Sequence, residues 1–310
     1  MVRVRGTGLR TQQALHGSRQ SVTVKRNMSA TPYIEQAGSH IASPTLDKES
    51  GNLFYVGMGS GEVCVAGTDG STAPEPAVWA NSGGQPNGVA IDTGGNVYVA
   101  DLAQGAIVAV DEDGTQQAVV KVYEERPFKG PNSLTFDSAG NMFFTDSGPL
   151  GETGLTSPTG SVFCIMVGRE GQILKPLALN SLAHPAGIAL SADERGLFVC
   201  ELLANRLLRF FQQPTGVYHA SVFKQFAGGV GPMSVAVDKR GFIYVGHYDV
   251  PSASGGQGRI TVLSPDGATE NELTVPGPQV TGLCLSADER ELFVTEATTD
   301  TIYRIAIPFS

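Results

Sequence analysis

The stretch GPNSLTFDSAGNMFFTDSG, residues 130–148, decides the fold class. It contains an apolar extended segment, a turn with the sequence DSAGN, and a second extended segment that ends at Asp146. The Gly and Asn of the turn supply the positive φ angle and the side-chain capping that tight hairpins require. The stretch therefore predicts a β-hairpin, and its recurrence along the chain predicts what these hairpins build.

Related hairpins occur six times along the chain. We use the residue that ends the first strand of each hairpin as an anchor residue, and successive anchor residues are 45, 45, 54, 47 and 48 positions apart. A repeat of this length that contains short strands is typical of a β-propeller blade. We therefore predict an all-β, six-bladed β-propeller of four-stranded antiparallel blades. The anchor residues are Asp47, Asp92, Asp137, Ser191, Asp238 and Ser286.

The sixth repeat ends at Ser310 without an outer strand of its own. An incomplete blade would leave an unpaired sheet edge, which β-proteins avoid. We therefore predict that residues 32–36 supply the missing strand and close the ring. This gives one propeller domain over residues 31–310, preceded by a leader at residues 1–30.

Residues 1–34 contain six basic residues and no acid. An Arg-rich, acid-free leader without a hydrophobic segment is typical of a mitochondrial or plastid transit peptide. The alternative is an untranslated or disordered extension with Met28 as the working start, in which case we expect a cytoplasmic protein. Both alternatives predict a soluble, intracellular protein.

Composition argues against several classes of partner. The net charge is −9 although the leader is basic, and an acidic body gives no support for nucleic-acid binding. No apolar run approaches the roughly 18 residues that span a bilayer, so we expect no membrane span. The four cysteines show no metal-ligand spacing, and we expect free thiols in a reducing compartment.

Strand alternation predicts two rings of side chains at one end of the propeller. The residue five before each anchor residue and the residue that ends each second strand should lie at the same end, because antiparallel strands reverse direction. The first set, the inner ring, is Ala42, Asn87, Asn132, Ala186, Met233 and Thr281. The second set, the outer ring, is Gly57, Asp101, Asp146, Glu201, His247 and Glu296.

The four carboxylates and one histidine of the outer ring admit two interpretations. In the first, each acid caps a backbone amide of an adjacent loop. In the second, the acids form a polar channel mouth, shift one another's pKa and hold a cation or a proton. Long insertions at residues 147–160 and 248–259 join second strands to third strands, so we expect them to overhang this mouth as lids.

Three segments carry a resemblance to a known family. PAGIALSADERGLFVCELLANRLLRFF (residues 185–211), PNSLTFDSAGNMFFTDSG (131–148) and PMSVAVDKRGFIYVGH (232–247) resemble the strictosidine-synthase-like branch of the senescence-marker-protein/gluconolactonase superfamily. The resemblance covers about residues 40–308 and implies the propeller fold. It implies the activity less strongly, because many chemistries share this scaffold.

In the lactonase and phosphotriesterase members, the resemblance implies a calcium ion in the channel. Its ligands are a Glu of blade one, Asn residues of blades three and four, and an Asp of blade five. These positions hold Ala42, Asn132, Ala186 and Met233 here. Calcium takes about six to eight oxygen ligands, and Ala and Met side chains supply none. We therefore expect a divalent cation such as Ca²⁺ to be absent or weakly bound, with Asn132 and Asn87 as the remaining metal ligands.

The resemblance also bears on the synthase reaction. Strictosidine synthase uses no metal and relies on a glutamate of the sixth blade for its amine–aldehyde condensation. Thr281 lies at about that position here. A threonine hydroxyl cannot replace a carboxylate that exchanges protons near neutral pH, so we do not expect the synthase activity.

Two functions remain open. The first is an enzyme, a hydrolase of ester or lactone bonds at the channel mouth, with Asn132 polarising the substrate and Asp146, Glu201 and His247 as acid–base groups. The second is a non-catalytic propeller module that binds a small ligand or a protein partner. The degenerate metal positions favour the second hypothesis, and the coincidence of polar rings with long loops favours the first.

Overall fold

The computed structural model describes residues 29–68, 74–168, 171–252 and 256–307. The described residues form six four-stranded antiparallel sheets, together with one short two-stranded hairpin and one 3-10 turn. This confirms the predicted six-bladed propeller. The leader predicted at residues 1–30 lies outside the described residues, except for its last two positions.

Each blade runs from an inner strand beside the channel to an outer strand. Blade one contains β2 (Ile41–Leu46), β3 (Leu53–Gly57), β4 (Glu62–Ala66) and β5 (Ala77–Asn81). Blade two contains β6 (Pro86–Ile91), β7 (Val97–Asp101), β8 (Ala106–Val110) and β9 (Gln116–Val120). A hairpin of β10 (Val122–Tyr123) and β11 (Arg126–Pro127) leads to blade three, which contains β12 (Pro131–Phe136), β13 (Met142–Asp146), β14 (Gly160–Gly168) and β15 (Gly171–Leu182).

The remaining blades follow the same order. Blade four contains β16 (Pro185–Leu190), β17 (Gly196–Glu201), the 3-10 turn Leu202–Ala204, β18 (Arg206–Gln212) and β19 (Tyr218–Gln225). Blade five contains β20 (Gly231–Val237), β21 (Ile243–Tyr248), β22 (Gln257–Leu263) and β23 (Glu270–Pro276). Blade six contains β24 (Val280–Leu285), β25 (Glu291–Glu296), β26 (Thr301–Ala306) and the N-terminal β1 (Thr31–Ile34).

The N-terminal strand closes the ring as predicted. β1 pairs antiparallel with β26, and Thr31 lies opposite Arg304 while Ile34 lies opposite Ile302. The first and last described strands are therefore held in one sheet. Because this sheet completes the sixth blade, we expect closure to make the fold one cooperative unit.

The anchor residues explain why each inner hairpin turns where it does. Asp137 Oδ1 accepts hydrogen bonds from the backbone N–H groups of Ala139 and Asn141, at 3.0 and 2.8 Å. Gly140 takes a φ of 83°, in the left-handed region that favours glycine. Asp238 makes the corresponding bonds to Arg240 and Phe242. The repeated acid is therefore a turn cap.

Apolar wedges between neighbouring blades form the core. Six buried clusters occur among the described residues, and each combines residues from two adjacent blades. Tyr98 of blade two and Phe136 of blade three, for example, have their ring centroids 5.0 Å apart. All four cysteines are free thiols, as expected. No helix among the described residues is long and apolar enough to cross a membrane.

Candidate functional site

A cavity of about 640 Å³ occupies the centre of the propeller. All six inner strands line it, from the inner ring at one end to the hairpin turns at the other. We call these the ring end and the turn end of the channel. A cavity of this size matches the usual volume of a small-molecule site, about 300–1,000 Å³.

The repeat divides the channel wall into layers. The inner ring contributes Asn87, Asn132, Met233 and Thr281 to the lining. Two apolar layers follow, at the positions three and one before each anchor residue. The first apolar layer is Pro44, Val89, Leu134, Ile188, Val235 and Leu283. The second apolar layer is Leu46, Ile91, Phe136, Val237 and Leu285.

Neighbouring inner strands approach each other closely just below the inner ring. A Cβ atom added at Gly88 would lie 2.5 Å from the carbonyl oxygen of Asn132, and one at Gly187 would lie 2.7 Å from Cα of Ser234. Gly282 is similarly close to the backbone nitrogen of Ser43, at 2.6 Å. Only small residues fit where backbones approach this closely. The ring end is therefore tightly packed.

The inner ring retains unused hydrogen-bonding capacity. Asn87 is 8% exposed, and its Oδ1 atom is buried without a partner among the described residues. Asn132 is 7% exposed, and its side-chain amide makes no hydrogen bond to a described residue. Thr281 differs, because its hydroxyl donates to the carbonyl oxygen of Ile41 at 2.6 Å. Two neutral amides on adjacent blades are thus free to bind a ligand.

Cross-strand pairing places the outer ring beside the inner ring. Asp146 pairs with Pro131, and Glu201 pairs with Pro185; each partner directly precedes an inner-ring residue. His247 pairs with Pro232 in the same way. Both predicted rings therefore lie at one end of the propeller, as the alternation of strands requires.

Each outer-ring aspartate binds a backbone amide of the segment that enters its blade, and Asp101 also binds one in the loop that follows it. Asp146 Oδ1 accepts from the N–H groups of Lys129 and Gly130, at 2.9 and 2.7 Å. The pKa of Asp146 is raised, because the effect of burial exceeds the opposing effect of these two amides and of the Lys129 charge. Asp101 Oδ1 accepts from the N–H groups of Gln85 and Gln104, at 3.0 and 2.9 Å.

The outer-ring glutamates are similarly engaged. Glu201 accepts from the Ala183 N–H at 2.8 Å and from Arg206 Nε at 2.6 Å. Glu296 accepts from the backbone N–H groups of Gln279, Thr298 and Thr299, and from the Thr299 hydroxyl. These are the contacts that the capping interpretation describes. None of the outer-ring residues lines the channel cavity as far as the described residues define it.

His247 lies in a buried pocket of its own. Its Nε2 atom is 2.9 Å from the Thr261 hydroxyl, its Nδ1 atom is 3.3 Å from Arg259 Nη2, and its ring packs edge-on against Phe226. Burial and the Arg259 charge lower the pKa of His247 to about 3. The imidazole is therefore neutral at physiological pH and is bonded within its own blade.

The two insertions do not reach the channel wall in the described part of the chain. Lys129 Nζ bonds to the Thr159 carbonyl and to Asn180 Oδ1, both at 2.6 Å, which holds the end of the first insertion against blade three. The second insertion includes residues 253–255, which lie outside the described residues. Their function as lids stays a prediction.

The inner ring does not fit calcium. Ala42 and Ala186 are 3% and 0% exposed and carry no ligand atom, and Met233 offers only a thioether. Asn87 and Asn132 supply two amide oxygens without a carboxylate. No group of three or more His, Cys, Asp or Glu side chains is placed to hold a metal ion among the described residues.

Sequence reasoning identified Asn87 and Asn132 but missed Ser234. This side chain is 6% exposed, lines the channel, and has a buried Oγ without a partner in the described chain. Its position directly follows the inner ring, where three of the six blades have glycine. The other three blades have serine there, at Ser43, Ser133 and Ser234, so the sequence alone does not single out Ser234.

A six-bladed propeller with a polar channel end defines the class of protein. The family described as the SMP-30/Gluconolactonase/LRE-like region matches residues 42–298, and the chain belongs to this family. The narrower strictosidine-synthase-like branch stays a prediction.

Individual relatives and structures agree with this family. A protein named lactonase drp35 from Staphylococcus aureus is 28% identical over 264 residues, which cover 81% of this chain and 75% of that protein. A gluconolactonase structure from Xanthomonas campestris has a TM-score of 0.73 and 19% identity, with 91% of each chain covered. A structure from Agrobacterium tumefaciens titled as regucalcin, a calcium-binding protein, has a TM-score of 0.69 and 19% identity, covering 89% of this chain and 91% of that one.

Proposed function

We propose that the protein hydrolyses lactones, with the substrate carbonyl bound at the ring end of the channel by Asn132 and Asn87. The lactonase and gluconolactonase names among its relatives support the reaction class. The observation that carries the proposal is the inner-ring amide of Asn132. It lines the cavity unbonded, at the one position where this chain keeps a residue type of the family's calcium site.

Catalysis of lactone hydrolysis needs a hydrogen bond to the carbonyl oxygen that is stronger in the transition state than in the ground state. A side-chain N–H of Asn132 or Asn87 donates to the lactone carbonyl, whose oxygen gains negative charge as water adds to the acyl carbon. The ring C–O bond then breaks, the ring oxygen takes a proton, and the product is an open-chain hydroxy acid. One such donor contributes about 10²–10³ in rate when it is preorganised.

The described residues of the ring end offer no evident general base to activate the attacking water. Asp146, Glu201 and His247 stay predictions as acid–base groups, and their hydrogen bonds to backbone amides, Arg206 and Thr261 oppose that role. No carboxylate or imidazole lines the ring end among the described residues. We therefore propose that hydroxide or a weakly activated water attacks, and that the rate rises with pH through the neutral range.

A panel of lactones and aryl esters, assayed with added Ca²⁺ and with a chelator, tests the proposal. We expect lactone turnover that is the same under both conditions. Turnover that requires Ca²⁺ would contradict the metal-independent mechanism. Turnover no faster than with heat-killed protein, under either condition, would remove the enzymatic function.

Ligand binding without turnover is the second candidate. The three apolar side chains at the family's metal positions, Ala42, Ala186 and Met233, favour it, because no charged group activates a substrate there. A cyclic ketone that binds in calorimetry, together with lactones that bind but are not hydrolysed, would support this function over hydrolysis.

A further inference from the structure

We propose that the lactone carries an aliphatic chain, and that this chain lies along the two apolar layers of the channel. The inference rests on the proposed function and names its substrate class. It follows from the layered channel wall, which places two neutral amides at one end of two layers of apolar side chains.

The apolar layers extend around the channel. All six blades contribute to the first apolar layer, and five of them contribute to the second. Val89 is 1% exposed, Leu134 is 6% exposed and Leu283 is 8% exposed, while the second apolar layer is half-buried. Burial of methylene groups against such side chains is favourable and non-directional.

A polyhydroxylated lactone suits this wall poorly. Each hydroxyl that enters the apolar layers loses its hydrogen bonds to water, and the side chains of Val89, Leu134, Ile188, Val235 and Leu283 return none. At the ring end, Asn87, Asn132, Ser133 and Ser234 hold side-chain polar atoms without a described partner, and the Thr135 hydroxyl is a further one between the apolar layers. These groups suffice for one ring carbonyl and its ester oxygen.

The extent of the cavity gives the direction of the chain. The cavity runs from the inner ring to the hairpin turns, so a chain attached to a carbonyl bound at the ring end extends toward the turn end. Four residue steps separate the inner ring from the second apolar layer, which is about 13 Å at about 3.3 Å per residue.

The turn end limits the useful length of the chain. Lys48, Lys239 and Glu289 line the cavity there, and Lys239 Nζ lies 3.6 Å from Glu289 Oε1. Methylene groups that reach these charges are no longer buried against apolar atoms. We therefore expect affinity to rise with chain length and then to level off.

Calorimetric titration with a series of cyclopentanones tests the dependence of affinity on chain length. The series consists of cyclopentanone itself and its propyl, pentyl and heptyl derivatives. These ketones keep the carbonyl and the chain but contain no bond that is hydrolysed. We expect the dissociation constant to fall about two- to fourfold per buried methylene. A dissociation constant that is independent of chain length would overturn the inference.

Two variants of blade four locate the chain. Ala189 lines the channel between the apolar layers, whereas Ala220 is exposed on the outer strand of the same blade. Ala189→Phe should remove the chain-length dependence but leave the binding of unsubstituted cyclopentanone unchanged. The smaller substitution Ala189→Leu should reduce the chain-length dependence. Ala220→Phe should behave as wild type. Equal chain-length dependence in all three folded variants would place the chain elsewhere.

Failure of this inference and failure of the proposed function give different results. If ketones bind with the expected dependence and no lactone is hydrolysed, the aliphatic site stands and the enzymatic function fails. If short lactones and sugar lactones are hydrolysed as fast as long-chain lactones, the function stands and the aliphatic substrate class fails.

Discussion

Each outer-ring residue pairs with the residue that directly precedes an inner-ring residue. The two rings nevertheless differ in which of their polar side-chain groups lack a hydrogen-bond partner. The outer ring is charged, and its four acids are each bonded to backbone amides. Asp101 Oδ2 is buried without a described partner, but Asp101 does not line the channel cavity. The inner ring is neutral, and two of its amides are uncommitted. Unused hydrogen-bonding capacity beside a cavity therefore marks the ligand site better than charge does.

Glu296 tests the structural side of this comparison and should give the largest effect. Glu296→Ala removes a buried carboxylate that accepts three backbone bonds and one hydroxyl bond, so those donors lose their partner. We expect a loss of about 3–5 kcal/mol in the free energy of unfolding, measured by denaturant titration. Glu291→Ala on the same strand, where the side chain is 36% exposed, should cost less than about 1 kcal/mol. Similar values for both variants would contradict the capping function.

Asn132 tests the functional side. Asn132→Ala should lower kcat/KM for lactones about 100-fold, because one preorganised donor to the carbonyl is lost. The melting temperature should stay within about one or two degrees of wild type, since the amide makes no bond to a described residue.

Asp101→Ala is the matched comparison for Asn132→Ala. It removes the oxygen that accepts from two backbone N–H groups, so it should lower stability and leave kcat/KM within about twofold of wild type. A fall in kcat/KM larger in Asp101→Ala than in Asn132→Ala would reverse the assignment of the two rings.

His247 predicts a pH dependence of stability. Its pKa is about 3 in the folded protein and about 6.5 when unfolded, so the unfolded chain binds a proton that the native state excludes between these values. Stability is therefore lost as the pH falls below about 6.5, by about 2 kcal/mol at pH 5 from this group alone. His184 acts in the same direction, because burial lowers its pKa to about 4.

Denaturant titrations of wild type and His247→Gln between pH 7 and pH 4 isolate the contribution of His247. The variant should lose less stability on acidification, because glutamine does not titrate. Parallel curves for the two proteins would show that His247 is protonated in the folded state as readily as in the unfolded chain.

Asn87 gives the smallest and least intuitive effect. Asn87→Ala removes a buried acceptor without a described partner, so we expect the free energy of unfolding to rise by about 1 kcal/mol. Ketone binding should weaken in the same variant. A residue that costs stability and supports binding is typical of a ligand site. Loss of both stability and binding would show that the side chain is a structural contact.

Much of the fold follows from the sequence because a strict repeat converts local patterns into positions. The hairpin around Asp137 predicted the turn, its recurrence predicted six blades, and the missing last strand predicted that the N-terminal segment, observed as Thr31–Ile34, pairs with the sixth blade. Strand alternation likewise predicted that both rings share one end.

Which ring has side chains free to bind a ligand could not be predicted from residue types. The amides that bind Asp146 belong to Lys129 and Gly130, on the segment that enters blade three, and backbone donors leave no mark in a sequence. The two apolar layers could have been predicted, because the register that places Asn132 in the inner ring also places Leu134 and Phe136 in the apolar layers.

Side-chain NMR of an isotope-labelled sample tests the central claim most directly. Titration with heptylcyclopentanone should shift the side-chain amide resonances of Asn87 and Asn132 and leave the ring resonances of His247 and the carboxyl resonances of Asp146 and Glu201 unchanged. Shifts confined to the outer-ring groups, with both amides unaffected at saturating ketone, would contradict the assignment of the ligand site to the inner ring.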